Sequence, residues 1–94
     1  MTAVPDFAVS VLAEAIKRQP LSPGKVALAW QMAAGPQLAR ASHVDIDRDA
    51  GSSLTLTVRA RDQRWAAEID RVRPLLTDRL ARLLGKETLT LLVS

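Results

Sequence analysis

Ser42 and His43 stand immediately before Asp45, Asp47 and Asp49, the one place in the sequence where a hydroxyl, an imidazole and several carboxylates adjoin. A serine activated by a histidine, or a carboxylate cluster holding a cation, would need such neighbours. The aspartates, however, sit among Val44 and Ile46 with the period of a strand, which places them on its polar face. No Glu or second His joins them at a calcium-ligand spacing, so the segment reads as the wet side of a strand. The chain has no cysteine and one histidine, which removes disulfides, thiolate zinc sites and multi-histidine metal sites together. Gly24-Lys25 runs into Val26 and Gly85-Lys86 into Glu87, so neither forms a phosphate-binding loop ending in Lys-Ser/Thr. The sequence therefore predicts a protein that is not an enzyme and needs no cofactor or metal.

Its other chemistry is cationic. The net charge is +3, and it is uneven: up to Val58 the basic and acidic residues cancel, and the whole excess lies from Arg59 onward. That last third carries Arg59, Arg61, Arg64, Arg71, Arg73, Arg79, Arg82 and Lys86. Arginine's planar fork suits bidentate contact with phosphate, and the same pattern also fits a solvated helix face in an arginine-rich composition.

Two tryptophans flank this region. Trp30 stands among Val26, Ala29, Ala33 and Ala34, whose small side chains leave room for a large ring, and it reads as core. Trp65 opens the basic helix at the edge of its apolar stripe, a place that fits core packing, partner contact or base stacking. Aromatic residues are only 3% of the chain. Nucleic-acid binding would thus rest mainly on phosphates, with strong salt dependence and little sequence preference.

The elements that must position these residues follow from periodicity. Phe7, Val11, Leu12, Ala15 and Ile16 predict a helix over 5–18, ended by Gln19-Pro20. Ser22-Pro23 opens a second helix running to about Ser42, with a kink or break expected near Ala34 because of Gly35-Pro36. Val44 and Ile46, a turn over Asp49-Ala50-Gly51-Ser52, then Leu54, Leu56 and Val58 predict a hairpin. Asp62 caps the next helix, whose stripe is Trp65, Ile69, Val72, Leu76, Leu80 and Leu83. Pro74 either kinks that helix or starts a second one. Gly85 ends it, and 87–93 form a third strand. The order is α-α-β-β-α-β: an α+β fold with a three-stranded sheet and helices packed on one face.

At 94 residues, 48% hydrophobic and 24% charged, the chain makes a single small globular domain, with residues 1–20 a helical part of the same unit as 21–94. Folding at this size buries about 60–65% of the unfolded surface, giving modest stability. No stretch reaches the ~20 apolar residues of a membrane span, and Met1 to Ala8 has no Lys or Arg to open a signal peptide. A cytoplasmic location, nucleoid-associated if DNA is bound, is expected.

From about Lys25 to Val93 the sequence resembles the N-terminal domain of the DciA family, associated with loading of the bacterial replicative helicase DnaB. The likeness rests on a helix carrying Trp30, Gly35, Leu38, Ala39 and Ser42, then a strand with Gly51, Leu54, Leu56 and Val58. A Trp-x-x-Glu-Leu-type helix follows with Trp65, Glu68 and Ile69, and Leu80, Leu84, Gly85 and the last strand complete the pattern. Ile69 stands where leucine is usual, and Ser52-Ser53 intervene between glycine and leucine. The resemblance implies a KH-like fold, binding to DnaB and affinity for single-stranded DNA. Together with the charge it nominates Arg59, Arg61, Arg64, Arg71 and Arg73 as phosphate contacts, and Trp65, Glu68 and Ile69 as the partner-facing surface. KH modules that grip RNA use a Gly-x-x-Gly loop, which is absent from this sequence. The competing readings are a small KH-like RNA-binding module and a structural interaction domain that forms a homodimer through its apolar stripe or a strand edge.

Overall fold

The computed structural model describes residues 20–94; the helix predicted over 5–18 lies outside them. Helix α1 is Pro23–Ala34, begun by Ser22, whose hydroxyl accepts the Lys25 amide at 3.1 Å. Gly35 ends it at φ 88° and ψ 164°, a conformation that suits glycine alone, and α2 follows as Pro36–Arg40. The break expected at Gly35-Pro36 is therefore complete, and helix gives way to strand at Ser42. Strands β1 (Ser42–Ala50) and β2 (Ser53–Ala60) pair antiparallel around a turn at Gly51-Ser52, with Gly51 at φ 77°.

Asp62 accepts the Trp65 amide at 3.0 Å and starts α3, Gln63–Arg71. At Val72 (φ −104°, ψ 13°) the chain leaves the helix for one residue, and α4 begins as Arg73–Leu84 with Pro74 in its first turn. Of the two alternatives at Pro74, the structure takes the split. Proline lacks the amide that an unbroken helix would use, and a new first turn does not need it. Gly85 then turns the chain left-handed into β3, Thr88–Val93.

The sheet order is β1-β2-β3, and β3 runs parallel to β2 with Leu54 beside Leu89, Leu56 beside Leu91 and Val58 beside Val93. A parallel return needs a crossover, which α3 and α4 supply. The fold is the α+β domain expected, in the order α-α-β-β-α-α-β. Leu54, Leu56, Val58 and Leu91 face Val26, Ala29, Trp30, Ile69, Leu76 and Leu80 in one core. The opposite face of the sheet carries Thr55, Thr57, Thr90 and Leu92. Trp30 is 2% exposed, so its assignment to the core holds, and its indole N–H donates to the Ser42 hydroxyl at 2.9 Å. Arg79 reaches from α4 to donate to the Ala33 carbonyl at 3.1 Å, tying α4 to the end of α1.

One strand departs from the simple alternation. The β1–β2 register shifts between Ile46 and Arg48, so Asp47 is an extra residue in β1. Asp45 lies opposite Thr57 on the helix-free face, whereas Asp49 lies opposite Leu54 on the helix side. The three aspartates do not share one face. On its own side Asp49 receives Lys86 Nζ at 3.0 Å, and the same ammonium donates to the Gly51 carbonyl at 2.6 Å.

Candidate nucleic-acid and partner interface

Ser42 and His43 are consecutive strand residues and therefore point to opposite faces. The Ser42 hydroxyl donates to the Leu38 carbonyl at 2.6 Å and accepts from Trp30, while His43 Nε2 meets Asp45 Oδ1 at 3.1 Å on the other side. That geometry separates the only serine–histidine neighbours. Among the described residues no group of three His, Asp or Glu is placed to hold a metal ion.

The five nominated arginines fall into three places. Arg59 is on β2 opposite His43, on the sheet face away from the helices, and is exposed. Arg71 and Arg73 flank the α3–α4 break, and each is held by a carboxylate of α3: Arg71 takes Glu68 with both Nε and Nη2, and Arg73 takes Asp70. The Arg71 guanidinium holds the Glu68 carboxyl below its usual range, and Glu68 in turn raises Arg71. Arg61 and Arg64 make no ion pair among the described residues.

Arg61 and Arg64 belong to a concavity around Trp65. The Arg61 amide donates to the Ala41 carbonyl at 2.7 Å, which draws the end of β2 against the end of α2 and sets Arg61 beside Arg40. The resulting hollow of about 420 Å³ is lined by Gln37, Arg40, Ala41, Arg61 and Trp65. A second hollow of about 260 Å³ adjoins it, between Gln37, Arg64, Trp65 and Glu68. A third, of about 290 Å³, has Ala34, Val72, Leu75 and Leu76 in its walls together with Glu68 and Arg79. Trp65 and Gln37 line all three. Leu75, in the third, is 49% exposed.

Gln37 and Arg40 carried no signal of this role in the sequence. They lie more than twenty residues before Arg61, in the electrically balanced part of the chain, and the pairing of Ser42 with Ala60, extended by the backbone bond from Arg61 to Ala41, brings them to Trp65.

Of the nominated partner-facing residues, Trp65 is half-buried with one edge in the hollows, and Glu68 is on their rim. Ile69 is a correction. It is fully buried in the core, one helical turn after Trp65 on the inward side of α3, and offers no surface to a partner.

Among the described residues no helix is long and apolar enough to cross a membrane. No curated protein and no solved structure gives a significant match to the chain. The family model described as "Dna[CI] antecedent, DciA" matches residues 4–93. That span takes in every helix and strand described above, from the cap of α1 to the end of β3. The match reaches well past the segment that first suggested the likeness. It brings with it the association with the DnaB replicative helicase that marks this group of loader and accessory proteins, and the chain belongs to the DciA family.

Proposed function

We propose that this protein is a non-enzymatic replication accessory factor that binds a DnaB-type helicase and promotes its placement on single-stranded DNA. The family match over residues 4–93 carries this reading. The geometry around Trp65 supports it. On one side of the ring are three guanidinium groups that make no ion pair among the described residues, on the other a wall that includes Val72, Leu76 and the exposed Leu75. The cationic side suits a phosphate backbone. The apolar side, with Trp65 and Glu68 at its rim, suits a protein surface.

Such a factor works by differential affinity. A protein that binds an open helicase ring tenfold more tightly than a closed one shifts that equilibrium by about 1.4 kcal/mol, with no fuel consumed. The test is light scattering coupled to size-exclusion chromatography on a mixture with the replicative helicase of the same organism. Co-elution at a defined mass is expected. Separate elution, with the helicase confirmed as a hexamer, removes the helicase from the proposal.

A further inference from the structure

We propose that the two adjoining hollows that share Gln37 and Trp65, one lined by Arg40 and Arg61 and the other by Arg64, form a single-nucleotide subsite for a DNA strand: Trp65 stacks the base, Gln37 bonds its edge, and the arginines hold the flanking phosphates. The inference rests on the DNA-binding half of the proposed function and adds to it a place, a stoichiometry of one base and a role for each side chain.

The charge pattern selects the occupant. Arg40, Arg61 and Arg64 line the hollows around Trp65 with no carboxylate partner among the described residues. The one acid on the rim, Glu68, is neutralised by its two-point contact with Arg71, so it does not repel an anion. An apolar segment seated there would strip water from three cations and return nothing for it. A phosphate-bearing ligand satisfies them, and the guanidinium forks match its oxygens.

The aromatic ring narrows the choice to an unpaired nucleotide. Trp65 is anchored by packing against the core and at its backbone by the Asp62 cap, so the part of the ring that lines the hollows is held in place before a base arrives. The bases of a duplex are sealed within their own stack and present no face to such a ring, whereas a single strand offers one. Gln37 supplies what an unpaired base requires beside the ring. Its amide carries donors and an acceptor, and it makes no side-chain hydrogen bond among the described residues. At about 420 Å³ the main hollow lies within the size range of small-ligand sites.

The experiment is a fluorescence titration of the full chain with DNA oligomers of about ten nucleotides, oligo-dT and oligo-dA, at low salt. Trp30 is sealed in the core, so quenching of the emission reports Trp65. Quenching is expected on binding. Trp65→Phe should remove the quench and weaken binding only a few-fold, because the smaller ring still stacks. Arg40→Gln with Arg61→Gln should lower the slope of log affinity against log salt by about 1.4, or about 0.7 per phosphate contact. Gln37→Ala should change the ratio of dT to dA affinity more than the mean affinity. Thermal melts of each variant separate these effects from unfolding. Absence of DNA binding, binding without quenching, or wild-type affinity and slope in both Trp65→Phe and the double arginine variant each overturn the subsite. Loss of the subsite with helicase co-elution intact leaves the accessory reading standing. Quenching without co-elution removes the helicase and keeps the subsite.

Discussion

The indole N–H of Trp30 donates to the hydroxyl of Ser42 at 2.9 Å, and that hydroxyl in turn donates to the Leu38 carbonyl at 2.6 Å. One side chain thus joins α1, the end of α2 and the first residue of β1. It also gives the Leu38 carbonyl, at the end of α2, a second donor beside the Ala41 amide at 3.2 Å, where the helix gives way to strand. Replacing Ser42 by Ala leaves the buried indole N–H unpaired and the Leu38 carbonyl with the Ala41 amide alone. Ser42→Ala should lower the unfolding free energy by about 1–2 kcal/mol, read from urea denaturation with an unchanged m-value.

The two short helices at the start of the described chain depend on Gly35. At φ 88° and ψ 164° a Cβ meets no neighbour within 4 Å, so the obstacle to substitution is the backbone itself. Gly35→Ala should cost about 1–3 kcal/mol. Gly85, in the ordinary left-handed region at φ 67°, should cost only about 1 kcal/mol on the same change. Paired thermal melts of the two variants check the ranking.

Ile69 and Leu75 should separate stability from recognition. Ile69 is fully buried, and Ile69→Ala should cost about 2–5 kcal/mol through the cavity it leaves. Leu75 is half in solvent, and Leu75→Ala should change the melt little while weakening helicase co-elution. Both are read by a melt and a pull-down at a temperature where each variant is folded.

The arginines should be unequal in DNA binding. Arg61→Glu with Arg64→Glu should abolish measurable affinity, because both line the hollows at Trp65 with no ion-pair partner among the described residues. Arg71→Glu should have the smaller effect, because the wild-type side chain is already held by Glu68. Equal losses in the two variants, measured by fluorescence anisotropy at one salt concentration, would place the DNA across the α3–α4 break instead.

Acid should loosen the hairpin end of the sheet. Lys86, by hydrogen bond and by charge, holds the Asp49 carboxyl below its usual range, with the Gly51 amide adding to it. A carboxyl whose folded value lies below its unfolded one contributes stability at neutral pH and loses it as the pH falls below about 4. Lys25 has the opposite sign: burial first, then Lys86, push its ammonium below the usual lysine value, so its penalty is relieved only as the pH rises. Thermal melts from acid to neutral pH should show a falling midpoint in acid. That slope should be shallower in Asp49→Asn.

The local elements of this protein are written in its sequence because their causes are local. Ser22-Pro23 and Asp62 cap helices, Gly51 turns a hairpin, Gly85 ends a helix, and the alternation of Leu54, Leu56 and Val58 sets the core side of β2. The cationic bias toward the last third and the lack of cysteine were legible for the same reason: both are properties of composition. Three features required the folded chain. The bulge at Asp47, which turns Asp49 toward Lys86, depends on the partner strand, since a register shift is a relation between two segments. The division of the arginines into paired and unpaired depends on whether a carboxylate lies one helical turn away and is oriented to meet them. The hollow at Trp65 depends on the bond from Arg61 to Ala41, which joins residues twenty positions apart. Periodicity shows which side of a helix or strand faces inward. Only packing shows which outward-facing residues become neighbours.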